Sequence, residues 1–128
     1  MKPITLEWIE KAEEDWGVML KAYRARKDPA YNISCFLAQQ CAEKYLKGRL
    51  DEAGIAFRKT HDLLEVLNQA LAVEPSWNRL RKELKNLNKY SVTHRYPGSS
   101  ADKAEAKNAV RDCRKVRRVI RAAFGLPV

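Results

Sequence analysis

One segment, LNKYSVTHRYPGSS (87–100), concentrates the side chains of this sequence that could act on a phosphate group. A histidine, with an ordinary pKa of about 6.5, can accept or donate a proton near neutral pH. A lysine or arginine can offset the charge that develops on phosphate oxygens, and a tyrosine ring can stack on a base. The segment supplies all of these side chains as Lys89, Tyr90, His94, Arg95 and Tyr96.

Two kinds of phosphate chemistry fit these residues. In a metal-independent phosphodiester-cleaving site, His94 is the general base or acid, and Lys89 or Arg95 supplies the cation. In a site that binds without cleaving, Arg95 grips a phosphate and Tyr90 or Tyr96 stacks on a base. The Pro-Gly turn then fixes the path of the loop.

A third interpretation is structural. In it, Tyr96 packs against the end of a helical bundle and Arg95 pairs with a carboxylate, Asp15 or Glu43. The second histidine, His61, precedes a predicted helix in the segment Thr-His-Asp. We expect it to form local hydrogen bonds near that helix N-terminus rather than to act in catalysis.

The elements that position this segment are all predicted to be helices. Ala, Leu, Lys, Glu and Arg dominate, glycine and proline number five each, and no stretch has the pattern of a strand. Start and stop signals predict a first helix from about Thr5 to Arg26 and a second from about Pro29 to Ala53, which Gly54 terminates. A short third helix is predicted to be capped by Thr60, and a fourth to begin at Pro75 and Ser76 and to end between Ser91 and Thr93. A fifth is predicted to be capped by Ser99 or Ser100 and to end near Phe124. The sequence therefore predicts an all-α, up-and-down bundle of four long helices plus a short one.

Apolar residues recur every three or four positions along these helices and are predicted to face the core. They are Leu6, Ile9, Ala12, Trp16, Met19, Leu20 and Tyr23 in the first helix; Leu63, Leu64, Leu67 and Leu71 in the third; Trp77, Leu80, Leu84 and Leu87 in the fourth; and Ala109, Cys113, Val116, Ile120 and Ala123 in the last.

The second helix carries polar side chains within an apolar arc. Ile33, Phe36, Leu37 and Cys41 share one face, Tyr31, Ala38, Ala42 and Leu46 lie opposite, and Gln40, Lys44 and Lys47 fall on the first face or its border. A helix that is apolar on two sides is central, or is shared between a core and a subunit interface. Its polar groups must find partners or face a cleft, so Gln40 and Lys44 are candidates for either a buried network or a ligand site.

The length, the apolar runs and the cysteine content of the sequence limit the class of protein. At 128 residues the chain can form a single domain, 1–128, with its own core. No apolar run approaches the roughly 18 residues that cross a membrane, and the N-terminus turns acidic where a signal peptide would be apolar, so we expect a cytoplasmic protein. The three cysteines, Cys35, Cys41 and Cys113, form no Cys-x-x-Cys pair and are predicted to be core residues. No metal and no cofactor is predicted.

The net charge of +9 suits a polyanion or an acidic partner. Steps of three and four place a basic face on the last helix, and a shorter basic stripe runs along the fourth. The basic face consists of Lys103, Lys107, Arg111, Arg114, Arg118 and Arg121, and the shorter stripe of Lys82, Lys85 and Lys89. Either a solvated surface, nucleic acid or an acidic protein would satisfy this pattern.

Three segments, taken in order, resemble the HEPN domain family. They are FLAQQCAEKYLKG (36–48), KTHDLLEVL (59–67) and NKYSVTHRYPG (88–98), and they follow a first helix with the pattern W-x-x-x-A-x-x-D-W from Trp8 to Trp16. The resemblance covers nearly the whole chain. It implies a helical bundle, commonly a dimer, whose gene in prokaryotes often neighbours that of a minimal nucleotidyltransferase, in pairs that include toxin-antitoxin systems.

The resemblance also implies a possible activity. Many members resemble metal-independent RNases with an Arg-x4-6-His motif, which extends to Arg-x4-His-x-Tyr where a nucleotidyltransferase silences the RNase by adding AMP to the tyrosine. This sequence has Lys89, His94 and Tyr96 as Lys-x4-His-x-Tyr, and lysine lacks the planar fork of a guanidinium. A second lineage carries Arg-Tyr-Pro without the RNase motif, and RYPG (95–98) fits that lineage.

The preferred interpretation is a nucleotide- or RNA-binding HEPN module that forms a homodimer and acts with a separately encoded minimal nucleotidyltransferase. One alternative is a metal-independent RNase toxin in which His94 is the general base or acid and Tyr96 is the AMP acceptor. Another is a purely structural helical interaction protein. The residues expected at the binding site are Arg95, Tyr96, Tyr90, Gln40 and Lys44, with His94, Lys89 and Arg95 as the catalytic set of the RNase alternative.

Overall fold

A computed structural model describes all 128 residues and contains only helices. The predicted all-α bundle is confirmed. Its helices are α1 (Pro3–Arg24), α2 (Tyr31–Glu52), α3 (Leu63–Ala70), α4 (Arg81–Asn88) and α5 (Lys103–Ala123). None of them is long and apolar enough to cross a membrane.

The prediction of four long helices is wrong, because the fourth divides into three short segments. A 3₁₀ helix, Pro75–Leu80, leads into α4, and a 3₁₀ turn, Lys89–Ser91, follows it. In a 3₁₀ helix, residues three apart lie on one edge, so Trp77 and Leu80 both reach the core from this tighter winding. The predicted inward residues of α4 itself, Leu84 and Leu87, are fully buried.

Helix α2 lies at the centre of the bundle, as its two apolar sides predict. It packs against α1, α3, α4 and α5, and buried residues occur on all of its sides. Its two predicted apolar faces differ in burial, however. Ala38, Ala42 and Leu46 are buried, whereas Ile33 is 50% exposed and Phe36 is only half-buried, because no other helix covers the N-terminal part of that face.

A close approach between α1 and α2 fixes the register of the bundle's two longest helices. A Cβ on Gly48 would lie only 3.1 Å from Cβ of Trp8. At this end, Thr5 donates a hydrogen bond to Glu52, and the Trp8 indole Nε1 donates to Asp51. Glycine at position 48 therefore lets the two backbones approach and brings these polar pairs into reach.

Two predicted helix caps are wrong by two or three residues. The α3 cap is Asp62, whose carboxylate accepts from the backbone N–H groups of Leu64 and Glu65, and Thr60 instead accepts from the N–H of Asp62. The α5 cap is Asp102 rather than Ser99 or Ser100. A carboxylate is favoured over a hydroxyl here because it also interacts with the helix dipole. Gly54 ends α2 with a φ of 70°, as predicted.

Most predicted core positions are buried, with two exceptions at helix ends. Leu6 is 47% exposed, and Ala123 is exposed at the end of α5, where Phe124 packs against the core instead. The three cysteines are buried and unpaired, which confirms their predicted core role. Burial raises the pKa of the Cys35 thiol to about 12, so this thiol stays protonated at neutral pH.

Candidate functional site

The segment from residue 89 to 102 is a compact loop that joins α4 to α5. His94 adopts the left-handed conformation, with a φ of 69°, and Gly98 has a φ of 117°. The loop is fixed to α2 because the backbone N–H of Ala101 donates to Asn32 Oδ1 at 2.7 Å. The left-handed residue turns the chain sharply, and the two neighbouring side chains take different partners: His94 contacts Glu105 and Ser99, whereas Arg95 lies on Phe36.

The His94 imidazole is held on both sides. Its Nε2 lies 2.8 Å from Glu105 Oε2 and its Nδ1 lies 3.0 Å from the Ser99 hydroxyl, and only 10% of the side chain is exposed. Because an ionised carboxylate only accepts, Nε2 carries a proton, and in the neutral ring Nδ1 accepts from Ser99. Both ring nitrogens are therefore engaged within the protein, and neither is free to exchange a proton with a substrate.

Glu105 is the centre of this cluster, and it was not among the predicted site residues. The buried Tyr90 hydroxyl donates to Glu105 Oε2 at 2.7 Å, and Lys89 Nζ lies 3.9 Å from the same atom. Partial burial raises the pKa of Glu105, but the hydrogen bonds from Tyr90 and His94 lower it more, so the net shift is downward. Glu105 stands three residues after the Asp102 cap, and this Asp-x-x-Glu spacing is a sequence signal of its place in the first turn.

The environment of Tyr90 corrects its expected role. Its side chain is 5% exposed, and burial together with the bond to Glu105 raises the pKa of the phenol well above its usual value. Its ring lies in the core next to His94, with 6.1 Å between ring centroids. Tyr90 therefore supports the loop from beneath and cannot stack on a bound base.

Arg95 is exposed and has no carboxylate partner. Its guanidinium lies 4.3 Å above the Phe36 ring, and Nη1 donates to the carbonyl of Ser91 at 2.8 Å. Asp15 pairs with Lys44, and Glu43 pairs with Lys47 and His61. The proposed pairing of Arg95 with either carboxylate is therefore wrong.

Tyr96 is also free of the bundle. It is 66% exposed, so the expectation that it packs against the bundle end is wrong. Its ring centroid lies 5.8 Å from the Arg95 guanidinium carbon. Its phenolic oxygen is accessible from solvent.

Two cavities meet at the stack of Arg95 on Phe36. The smaller has a volume of 160 Å³ and is lined by Phe36, Gln40, His61, Ser91 and Arg95. The larger has a volume of 350 Å³ and is lined by Asn32, Ile33, Phe36, His94 and Arg95. We call the two together the Arg95 site. Gln40 lines the smaller cavity, whereas Lys44 is bound to Asp15 at 2.5 Å and lines neither cavity.

His61 enters the Arg95 site from the loop that precedes α3, which its sequence context did not predict. Its Nδ1 lies 2.9 Å from Oε1 of Glu43 on α2, so its hydrogen bond crosses to another helix instead of staying near its own. Glu43 is 4% exposed, whereas the His61 side chain is 67% exposed. The carboxylate makes Nδ1 the donor, which leaves Nε2 as the free acceptor of the neutral ring.

The site has the character of an anion site rather than a metal site. No group of three or more His, Cys, Asp or Glu side chains is arranged to hold a metal ion. The polar groups that line the smaller cavity are a guanidinium, an amide, an imidazole and a hydroxyl. The guanidinium and the amide keep N–H donors for phosphate oxygens, and the imidazole can donate from Nε2 when it is protonated.

The predicted basic face of α5 is only partly a surface. Lys103, Lys107, Arg111 and Arg118 are exposed, but Arg114 is half-buried, with its guanidinium carbon 5.6 Å from the Trp16 ring. Arg121 is wrongly assigned to this face. Its side chain is 12% exposed, pairs with Glu13 of α1, and donates to the Tyr45 hydroxyl and to the C-terminal backbone, because α1 and the tail cover this end of α5.

Comparisons with known proteins agree with this architecture. The model of the HEPN domain matches residues 5–123. The crystal structure of ST0689, an archaeal HEPN homologue, is 25% identical in sequence and has a TM-score of 0.75, with 96% of this chain and 98% of that chain covered. The crystal structure of TT1696 from Thermus thermophilus is 23% identical and has a TM-score of 0.80, with 92% and 96% covered. No curated protein matches the sequence.

The role of Glu105 predicts a pH-dependent loss of stability. Because folding lowers its pKa, its ionised form stabilises the fold above the ordinary value of 4.5, and this stabilisation is lost as the pH falls below that value. We expect Glu105→Gln to be less stable than the wild type by about 1 kcal/mol at neutral pH, because charge-assisted hydrogen bonds become neutral ones. Urea unfolding followed by circular dichroism measures the difference.

The difference between the two proteins should narrow as the pH is lowered toward about 3. Glu10→Gln is the matched control, because Glu10 is exposed and should show neither effect. A difference that stays constant across this range would mean that the charge of Glu105 does not stabilise the cluster.

Proposed function

The chain belongs to the HEPN domain family, and from this premise we propose that it is a nucleotide- or RNA-binding module in which Arg95 holds a phosphate. The proposal rests on the position and the contacts of the Arg95 side chain. Its guanidinium lines two cavities, lies on an aromatic ring and has no carboxylate partner. A guanidinium held in place by stacking keeps most of its N–H donors for an anion, and binds phosphate oxygens in a bidentate manner.

The two cavities beside Arg95 differ in polarity, as the phosphate and the base of a nucleotide do. In the smaller cavity, Gln40 and His61 add polar groups beside the guanidinium. In the larger cavity, Ile33 and Phe36 present apolar surface, and Asn32 keeps its side-chain N–H₂ free because its oxygen accepts from Ala101. We propose that the phosphate lies on the His61 side of Arg95 and the base on the Ile33 side.

We further propose that the module is a homodimer and acts with a separately encoded minimal nucleotidyltransferase. Support for the dimer comes from the N-terminal part of α2, where Ile33 is 50% exposed beside the half-buried Phe36 and Leu37. A second copy placed there would cover this apolar surface and close the larger cavity. Support for the nucleotidyltransferase comes from the family resemblance and from the exposed hydroxyl of Tyr96, 66% of whose surface is accessible.

RNA cleavage without a metal is a second candidate function, and one observation favours it. His61, whose Nδ1 is fixed by the buried Glu43 and whose Nε2 forms no hydrogen bond, lines the same cavity as Arg95. Such a histidine can remove the proton of a 2′-hydroxyl while the guanidinium stabilises the charge on the phosphate. If the chain cleaves RNA, we propose that His61 rather than His94 is the general base.

Replacing Arg95 tests the binding proposal. We expect Arg95→Ala to lower the affinity for a fluorescently labelled single-stranded ribo-oligonucleotide by about 10-fold or more, as loss of a charge-assisted bidentate contact should. Arg95→Lys keeps the charge but loses the fork, and should recover only part of this affinity. Fluorescence anisotropy with the full chain measures both.

The control for this measurement is Arg79→Ala. Arg79 is exposed and lines neither cavity of the Arg95 site, so its loss removes the same charge elsewhere. Equal losses in Arg79→Ala and Arg95→Ala would mean that binding reflects only net charge.

Incubation with mixed RNA in excess EDTA tests the cleavage candidate. If the wild type cleaves RNA, we expect His61→Ala to abolish cleavage and Glu43→Gln to slow it, because the carboxylate fixes the ring. His94→Ala should still cleave. Cleavage that disappears with His94 and persists without His61 would reverse the assignment, and intact RNA in every tube would exclude this function for the unmodified protein, whose mass is checked beforehand.

Coexpression with the nucleotidyltransferase encoded beside the gene tests the partner proposal. We expect the two proteins to copurify, and the Tyr96 oxygen to displace pyrophosphate from ATP and so acquire AMP. Intact-mass spectrometry should then show an AMP-sized increment that Tyr96→Phe lacks. Tyr31→Phe, with a half-buried ring on α2, is the matched control and should keep the increment.

A further inference from the structure

A cleft between α1 and α5 is basic and contains no acidic residue. Its volume is 350 Å³. Four of its lining residues are cationic, and an aromatic ring and apolar side chains complete its wall. The cations are Arg24, Lys107, Arg111 and Arg114, and the aromatic ring is that of Tyr23.

These cations have almost no internal counter-charge. Arg24, Lys107 and Arg114 form no salt bridge, and the only one formed by Arg111 is a 3.4 Å contact with the adjacent Asp112. By contrast, Arg49, Arg58 and Arg117 each pair with a glutamate: Glu74, Glu65 and Glu13 respectively. Like charges that converge on a concave surface repel one another, and a bound anion relieves that repulsion.

A second cleft lies on the other side of α5, against α4. Its volume is 420 Å³, and Lys85 and Lys89 contribute to its lining. Its two carboxylates are already hydrogen-bonded: Glu105 binds Tyr90 and His94, and Asp112 accepts from Asn86 at 3.2 Å. Lys89 lies 3.9 Å from Glu105, whereas Lys85 forms no salt bridge, so Lys85 is the ammonium group of this cleft that has no counter-charge.

One arginine connects the two clefts across the ridge of α5. Arg111 lines both, as does Asn108. The side chain of Arg111 is 66% exposed, so its guanidinium is accessible to a ligand in either cleft. Cations on α1, α5 and α4 thus form a continuous cationic band, which consists of Arg24, Lys107, Arg114, Arg111 and Lys85.

We propose that this cationic band binds an extended chain of phosphates, which crosses α5 from the α1 cleft to the α4 cleft. The site goes beyond the proposed function, because the band shares no residue with the Arg95 site. Guanidinium groups spaced along a groove follow a phosphate backbone, and they bind it without sequence preference. The shared phosphate-chain chemistry has two natural sources, the backbone of RNA and inorganic polyphosphate.

The surface around the band argues against an acidic protein and against a compact anion. None of the large exposed apolar residues lies on α5, whereas the buried core of a protein interface is rich in apolar and aromatic side chains and depleted in charge. A compact anion would occupy one cleft and leave the other cations repelling one another. An extended polyanion contacts both.

The test measures binding of a labelled single-stranded ribo-oligonucleotide to the full chain by fluorescence anisotropy at several salt concentrations. Arg111→Ala should weaken binding by about 10-fold, and Arg24→Ala and Lys85→Ala by about 3-fold each, with the slope of log K against log salt falling by about 1 per residue. Arg118→Ala and Lys82→Ala are the matched controls. They remove the same charge from exposed positions of α5 and α4 that line neither cleft, and should change binding by less than about 2-fold.

Each other outcome counts against the band. Equal losses in the controls would show that only net charge attracts the oligonucleotide. A loss in Arg24→Ala or in Lys85→Ala alone would show that a single cleft binds. If Arg95→Ala abolishes oligonucleotide binding and every band variant binds normally, the RNA binds at the Arg95 site alone. If the band variants lose affinity while the residues of the Arg95 site are intact, the result supports the band independently of that site.

Competition identifies the ligand chemistry. Inorganic polyphosphate should displace the oligonucleotide from the wild type and should lose affinity in the same variants. Failure of polyphosphate to compete would contradict the proposal, because a sugar or base would then be recognised. Competition by poly-aspartate as strong as that by polyphosphate would also contradict it, since the band would then recognise carboxylates and hence an acidic protein.

Discussion

A buried ion pair in the second half of α2 holds the loop that delivers His61. Lys47 and Glu43 are 6% and 4% exposed, and their charged groups lie 3.1 Å apart. Removing two charges from water is unfavourable unless further hydrogen bonds compensate. Here Lys47 also donates to the carbonyl of Thr60 at 2.7 Å, and Glu43 also accepts from Gln39 and His61, so each charge binds the loop before α3.

The Arg95 site forms where this loop meets the loop before α5. The first loop is fixed through Glu43, Lys47 and Gln39, the last of which donates to the carbonyl of His61 at 3.1 Å. The second is fixed to α5 through Glu105 and to α2 through Asn32. Because both loops are anchored on α2, a single helix sets the distance between His61 and Arg95, and its half-buried Phe36 forms the floor between them.

The sequence alone predicted the fold class and some of the residues at the candidate site. Periodicity located the core of each helix, and the polar residues inside the apolar arc of α2 predicted either a buried network or a ligand site. Lys47 donates to Thr60, 13 residues away, and His61 contacts Glu43, 18 residues away, so the sequence placed Lys47 only on the apolar face or its border and predicted local hydrogen bonds for His61. Caps were misplaced because Thr60, Asp62, Ser99, Ser100 and Asp102 are all good cap residues, and only tertiary packing chooses among them. Arg121 has the same spacing as the exposed arginines, and helical geometry alone could not show that Glu13 and the C-terminal tail cover it.

The left-handed conformation of His94 explains why a Lys-x4-His-x-Tyr pattern does not become one catalytic group. For a residue with a Cβ, this conformation is unfavourable by roughly 1–2 kcal/mol, so it persists only where nearby contacts stabilise it. The contacts are those of the imidazole with Glu105 and Ser99, which turn it inward and bring Lys89 to the same carboxylate. The next residue, Arg95, instead lies on the ring of Phe36. The histidine and lysine of the pattern thus contact the carboxylate that holds the turn, whereas the arginine that follows has no carboxylate partner and lines both cavities.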